Sequence, residues 1–293
     1  MRLRIFGLSV TLALAVGLLS APLAADAQQP AKVYRLGVLN PTFAGFFGSP
    51  LLWLREIGYV EGKNIVFENR FAGGRDERLA ELAAELVRLK VDAILTSGTP
   101  AVRAAQQATK TIPIVMVVEG DPVRAGLVSS LARPGGNITG MTTLGAELSG
   151  KRLQLLKEAV PGLTRVAVLW NQADPEKAEE WKDTKAAAQK LGLRLQSLEV
   201  GSREELEAAF QAAMKERAGA LLVLADRLTG AQSKTIAELA AKNRLPAMYP
   251  SRWFVDIQKM GGLMSYSPAS IDVNRRVAAY IDKILKGAKP ADL

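Results

Sequence analysis

Two short runs, RLGVLN at 35–40 and RVAVLWN at 165–171, decide how this chain is read. Each is a brief apolar strand ending in Asn, and the pattern around the first returns around the second. VDAILTSG (91–98) is matched by GALLVLAD (219–226). Each of these leads into a helix and then an apolar–Pro pair entering another strand, Ile112-Pro113 or Leu245-Pro246. The offset is about 130 residues, too long for a solenoid repeat and suited to two similar lobes.

Within the first unit, Val33 to Leu39 and Val91 to Leu95 read as buried strands, as do Ile65–Glu68 and Ile114–Val118. Leu79, Leu82, Leu86 and Leu89 line one face of a helix over 76–89, and Pro100–Thr109 forms the next. In the second unit a helix over Pro175–Leu191 precedes a strand at Leu193–Val200, and Ser202-Arg203-Glu204-Glu205 reads as a capping box. Strands alternating with helices require parallel sheets with right-handed crossovers. The fold class is therefore α/β, with two Rossmann-like lobes of parallel sheet joined by a hinge. One crossover is expected within Thr139–Gly150, after the turn RPGGN (133–137), and a second near Ser265–Ser270. The amphipathic helix over 271–286 should then return to the first lobe. Residues 31–143 with 267–287 form lobe 1, and 144–266 form lobe 2.

The first thirty residues read as an export signal. Arg2 and Arg4 precede an apolar run from Ile5 to Leu19, and Ala25-Asp26-Ala27 supplies a small-x-small site before Gln28. Spanning a bilayer takes about 20 continuous apolar residues, and Pro22 and Asp26 interrupt the run too early. Residues 1–27 are thus expected to be cleaved and the protein to be periplasmic. The chain has no Cys, so it lacks disulfides and a lipid-modifiable Cys and is not expected to be a lipoprotein.

Composition narrows the chemistry. Hydrophobic residues make 48% of the chain and charged residues 23%, enough for a substantial core. The net charge is +9, but basic residues alternate with acidic ones, as in Arg75-Asp76-Glu77-Arg78. This is a solvated surface without a nucleic-acid stripe. The absence of both His and Cys removes the commonest general base, the usual metal ligands and the thiol nucleophile. Ser233-Lys234-Thr235 lacks the glycines of a phosphate loop. No catalytic residue, cofactor or metal is assigned, and an enzyme is not expected. A carboxylate-based periplasmic hydrolase is the remaining enzymatic alternative.

Binding residues are sought beyond the carboxyl ends of the strands, where open α/β sheets take ligands. Ser97-Gly98-Thr99-Pro100 places Thr99 at a helix N-cap with Pro following. The amides there suit a carboxylate. Asp121-Pro122 and Asp174-Pro175 repeat the arrangement, and Asp121 and Asp226 follow strands where they could meet an ammonium group. Phe43, Phe46, Phe47, Trp170, Tyr249, Trp253 and Tyr266 would supply aromatic walls.

GYVEGKNI (58–65), RLAELAAELVRLKVDAIL (78–95), GTPA (98–101), GDPV (120–123), LVSSLARPGGNITG (127–140), ELSGKRLQLLKEAVPG (147–162) and GGLMSY (261–266) occur in this order. The series resembles the substrate-binding proteins of an ABC transporter family with the type I periplasmic-binding fold, some associated with tryptophan or other aromatic amino acids. The resemblance implies a cleft containing Asn40, Ser97, Gly98, Thr99, Gly120, Asp121, Thr142, Asn171, Asp226, Tyr249 and Ser251. It implies as partners a small-molecule solute, with an amino acid as the first expectation, and an ABC permease with its ATPase, for a monomer that binds no nucleic acid. A periplasmic ligand-sensing receptor with the same fold is the alternative role. Two departures from the family pattern stand out. Pro41–Gly58 is shorter than the usual first loop and helix, leaving about two helical turns from Ser49-Pro50. The chain stops at Leu293, where relatives continue, so 288–293 reads as the start of a return segment to the second lobe and the hinge is expected to lack a strand.

Overall fold

The computed structural model describes residues 32–42, 48–143, 145–255 and 262–293. Strand β1 (Tyr34–Asn40) leads to α1 (Gly48–Glu56), β2 (Ile65–Phe71) and a 3-10 turn (Asp76–Arg78) that opens α2 (Leu79–Arg88). Then come β3 (Ala93–Ser97), α3 (Thr99–Ala108), β4 (Ile114–Val118) and β5 (Ile138–Thr142). The chain crosses to α4 (Gly145–Ala159), β6 (Arg165–Asn171), α5 (Pro175–Lys190), β7 (Arg194–Val200) and α6 (Leu206–Lys215). It continues through β8 (Ala220–Val223), α7 (Arg227–Ala231), α8 (Ser233–Lys242), β9 (Ala247–Tyr249) and β10 (Met264–Ser265). Helix α9 (Ser270–Leu285) closes the series.

All pairings in the two sheets are parallel, in the orders β2-β1-β3-β4-β5 and β10-β9-β8-β6-β7. Numbered by position within each lobe, both read 2-1-3-4-5. The repeat seen in the sequence is thus a repeat of topology. In this order the connection reverses direction between the first and third strands, which opens a crevice at their carboxyl ends.

Strands buried on both faces explain the continuous apolar runs. In β4, Ile114, Met116 and Val118 face α2 and α3, while Val115 and Val117 face α1 and α9. At Gly37 a side chain would meet Leu86 at 3.1 Å, so the glycine lets α2 pack closely on β1. Val277, Ala278, Ile281, Ile284 and Leu285 of α9 complete the core on the first sheet. Tyr59 donates to Asp282 Oδ1 at 3.0 Å and ties the end of the first helix region to α9. Phe210, Ile236 and Leu239 cover one face of the second sheet, and Leu153, Leu156 and Ala188 cover the other. Leu293 packs on the first-sheet core, and Thr139 Oγ1 donates to its carbonyl at 3.4 Å.

Three local expectations are corrected. Gly98, with φ 74°, is the N-cap of α3, and Thr99 is its first helical residue. A backbone that needs positive φ at the cap excludes a β-branched Thr there. Asp121-Pro122 opens a turn, not a helix: Asp121 Oδ1 accepts from Val123 N at 2.8 Å and Arg124 N at 3.2 Å. The Ser202–Glu205 stretch does not form a capping box. Glu205 itself occupies the cap position of α6, and its carboxylate accepts from Gly201 N at 2.8 Å and from Ser202 Oγ at 3.4 Å. Asp174 does cap α5, accepting from Glu176 N at 2.9 Å.

The chain passes between the sheets at Thr142–Gly145 and again at Ser265–Ser270. Arg152 of α4 sits between these crossings, 3% exposed. Its Nε donates to Tyr266 O at 2.9 Å, Nη1 to Gly145 O at 3.4 Å and Nη2 to Pro250 O at 3.3 Å. Desolvation lowers the guanidinium pKa, opposed by the charges of Glu180, Glu119 and Tyr266. Replacing Arg152 with Met removes the buried cation beside Glu180 and takes a hydrogen bond from each of three carbonyls, of which Gly145 O keeps Ser149 Oγ at 3.1 Å. We expect a loss of about 3 kcal/mol in urea unfolding; a change within about 0.5 kcal/mol would contradict this role.

Candidate functional site

The carboxyl ends of the first and third strands of each lobe carry the candidate residues. In lobe 1, Asn40 ends β1 and is 1% exposed. Its Oδ1 accepts from Thr42 N at 3.0 Å and from Thr42 Oγ1 at 3.2 Å. That bonding fixes the amide orientation and leaves Nδ2 buried without a partner. Ser97 ends β3 with 7% exposure, and Gly98 follows, 3.8 Å from the ring of Pro41 for an added side chain. Thr99 begins α3, whose first amides have no partners within the helix.

In lobe 2, Asn171 ends β6, and its Oδ1 accepts from Ala173 N at 2.9 Å. Asp226 follows β8 as the N-cap of α7. Its Oδ1 accepts from Thr229 N at 2.7 Å, and its own N–H donates to Thr229 Oγ1 at 3.0 Å. The other oxygen, Oδ2, is buried without a partner. Buried polar atoms are nearly always hydrogen-bonded, so each exception needs a reason. Two others among the described residues are Thr96 Oγ1, fully buried within β3, and Gln196 Oε1 on β7. Asn40 Nδ2 and Asp226 Oδ2 differ from these in lying at strand ends that face the crevice. One is a donor and the other an anionic acceptor.

Several other predicted residues have structural tasks. Thr142 Oγ1 donates to Gly120 O at 2.7 Å, joining β5 to the loop after β4. A side chain on Gly120 would stand 3.0 Å from Glu176 Oε2, so lobe 1 comes close to the start of α5 here. Asp121 is exposed and occupied by its own turn. Ser251 accepts from Phe254 N at 3.2 Å as the chain enters a 3-10 turn, Arg252–Val255.

The aromatic walls are also revised. Tyr249 is 1% exposed and stacks on Phe254 at 5.2 Å between centroids, within the second-sheet core. Desolvation pushes its hydroxyl pKa up to about 12. Trp170 is also core, stacked on Trp181 at 6.2 Å, with Nε1 donating to Ser197 Oγ at 2.7 Å. A strand buried on both faces leaves no open side for these rings. Tyr266 is 38% exposed. Phe43, Phe46 and Phe47 lie outside the described residues, as does the side chain of Trp253.

Sequence reasoning missed the charges between the lobes. Lys177 of α5 donates to Glu180 Oε2 at 2.8 Å and lies 3.8 Å from Glu119 Oε2, across from lobe 1. Glu180 also accepts from Ser149 Oγ at 2.9 Å. Desolvation pulls the Lys177 ammonium down, but Glu180 and Glu119 outweigh it and hold its pKa above the usual range. Glu119 is pushed above its ordinary value by desolvation, against the pull of Lys177, and Glu180, Asp226 and Asp174 add to the rise. Its side chain still keeps 44% of its surface open to water, which moderates the effect. A sequence signal existed: Lys177, Glu180, Thr184 and Ala188 fall on one face of a helix and are all buried. A charged stripe at core spacing marks an internal ion pair. Among the described residues, no group of three or more acidic, His or Cys side chains could hold a metal. An open depression of about 480 Å3 lined by Thr164, Arg165, Arg194, Lys215, Glu216 and Arg217 lies at the amino ends of β6 and β7, away from the crevice.

Two parallel lobes with facing strand ends and unsatisfied polar groups there define a two-lobed solute-binding architecture. Residues 51–293 match the model of the family described as ABC transporter substrate binding protein, and the chain belongs to that family. A tyrosine-binding protein of Clostridioides difficile (strain R20291) is 29% identical over 66% of this chain, spanning 55% of that protein's length. The ABC domain in complex with L-Trp from Streptococcus pneumoniae superposes with a TM-score of 0.76 at 24% identity, covering 89% of this chain and 88% of that one. A conserved domain protein from Vibrio cholerae gives 0.78 at 26% identity with the same coverage. The fold is that of type I periplasmic-binding proteins, and this family serves ABC transporters by binding small-molecule solutes.

The raised Glu119 carboxyl gives a pH test. A folded-state pKa above the unfolded one favours folding at low pH, and that contribution is lost as pH rises through the folded value. Glu119→Gln removes the penalised charge. The variant should melt above the parent at pH 7.5, with the difference vanishing below the ordinary Glu value of 4.5. A variant less stable than the parent at pH 7.5 would contradict this.

Proposed function

We propose that this chain is the exported, periplasmic solute-binding component of an ABC import system. It captures an amino acid with an aromatic side chain between its lobes and delivers it to the permease. The observation that carries the reading is the pair of unpartnered atoms, Asn40 Nδ2 in lobe 1 and Asp226 Oδ2 in lobe 2. An amino-acid zwitterion has the complementary groups, a carboxylate for the amide donor and an ammonium for the carboxylate. The first amides of α3 add a partial positive charge on the carboxylate side. The tyrosine-binding relative and the L-Trp complex support an aromatic amino acid, and the Arg2–Ala27 signal pattern supports export.

The mechanism follows from where the two groups sit. A solute held only by lobe 1 leaves Asp226 Oδ2 unsatisfied. Closing the lobes over the ammonium satisfies it, and this difference in affinity drives closure. Anchors on both lobes make the closed form the one a permease would distinguish.

Thermal unfolding of residues 28–293 against a panel of amino acids and small organic acids tests the reading. At a concentration of 100 times Kd, the bound solute adds about 2.7 kcal/mol of stability, and L-tyrosine or L-tryptophan should raise Tm. Asp226→Asn keeps an oxygen for Thr229 N but removes the anionic acceptor. It should abolish the rise while leaving the unliganded Tm nearly unchanged, and Asn40→Ala should also abolish the rise. A full rise in both variants would overturn the site, and turnover of a bound compound would favour an enzyme.

A further inference from the structure

Arg227 meets Asp76 across the cleft with both ends of its guanidinium. Nη1 lies 2.7 Å from Oδ1 and Nη2 lies 2.9 Å from Oδ2. The partners are 151 residues apart, one on each lobe. Arg227 is the first residue of α7, directly after Asp226. Asp76 opens the 3-10 turn that follows β2.

Both partners are held by the loops that carry the unsatisfied polar atoms. The first turn of α7 is pinned by the mutual Asp226–Thr229 bonds, and Thr229 Oγ1 also donates to Leu224 O at 2.9 Å. On the other side, Ala72 N donates to Asn40 O at 3.0 Å and Gly74 N to Pro41 O at 2.7 Å. The segment leading to Asp76 is therefore fastened to the loop after Asn40. Joining Asp76 to Arg227 brings the Asn40 loop and the Asp226 turn together.

Position in the sheet gives the pair its leverage. The crossover leaves the first sheet from β5, whereas β2 is the opposite edge. Other ion pairs between the lobes, Lys177–Glu119 and Arg124–Asp183, start from the loop that follows β4, the strand paired with β5 from which the crossover leaves. Among the described residues, Arg227–Asp76 is the interlobe pair at the edge far from the hinge. Both side chains are partly exposed, 49% for Arg227 and 37% for Asp76. Water screens such a pair, so it can release as readily as it forms. Its two-point geometry gives it direction.

We propose that Asp76 and Arg227 are positioning residues that latch the mouth of the cleft, setting the closed population by holding the Asn40 and Asp226 loops in register. The proposal rests on reading the interlobe space as the solute cleft, but its test needs no solute. The chain has no Cys, so Glu81→Cys on α2 and Lys234→Cys on α8 give two unique, exposed labelling sites, one per lobe. Pulsed electron spin resonance then reads the interlobe distance distribution in the full mature chain. The parent should show a short-distance population. Asp76→Asn or Arg227→Gln should shift it to longer distance, with an unchanged circular-dichroism melt ruling out unfolding. The reversed pair, Asp76→Arg with Arg227→Asp, should restore the short population. High salt should lengthen the distance in the parent and leave the single variants unmoved. Unchanged distances in both single variants would overturn the proposal. Failure of the solute reading would appear separately, as absence of a thermal shift with L-tyrosine and L-tryptophan.

Discussion

The guanidinium of Arg152 is the tie on which the two-lobed arrangement depends. It reaches a carbonyl at each place where the chain leaves one sheet for the other, Gly145 on the outward crossing and Tyr266 on the return, and a third at Pro250 after β9. A buried cation with three carbonyl acceptors needs negative charge nearby. Glu180 supplies it while also holding Lys177 and Ser149. The hinge is therefore a polar core between two apolar ones. Such a network holds the crossovers in one register, whereas an apolar contact of equal area would let them slide.

That arrangement explains why the cleft can hold unpaired groups. The hydrophobic cores of both sheets and the Arg152 network determine where the strand ends lie. Asn40 Nδ2 and Asp226 Oδ2 are left without partners by a scaffold stable enough to tolerate it. Asp226 and Asp174 of lobe 2 also place negative charge around this space, which favours an ammonium group near lobe 2. The α3 amides favour a carboxylate near lobe 1. A zwitterion would span the two.

Most of the fold was legible because its signals are local. Apolar runs such as Ile114–Val118 mark strands buried on both faces, and their recurrence after Arg165 marks the second lobe. The common 2-1-3-4-5 order follows from the same connections made twice. What failed depended on backbone angle or on distant partners. Gly98 took the cap that Thr99 was expected to fill, because the turn requires positive φ. Tyr249 and Trp170 looked like a ligand wall but pack inside, where Phe254 and Trp181 stack on them. Arg152 and the Lys177–Glu180 pair escaped notice because their partners lie up to 114 residues away or across a helix face. Asp226 stood out by its place after a strand and Asn40 only through the family resemblance, but only the three-dimensional structure distinguishes an unsatisfied atom from a satisfied cap.

The central claim is that one solute engages both lobes at once. Hydrogen exchange of the mature chain, measured by mass spectrometry with and without saturating L-tyrosine, reads this directly. The account predicts slowed exchange at residues 40–42 and 97–101 of lobe 1 together with 224–229 of lobe 2. Protection confined to one lobe, or absent from both, would contradict it.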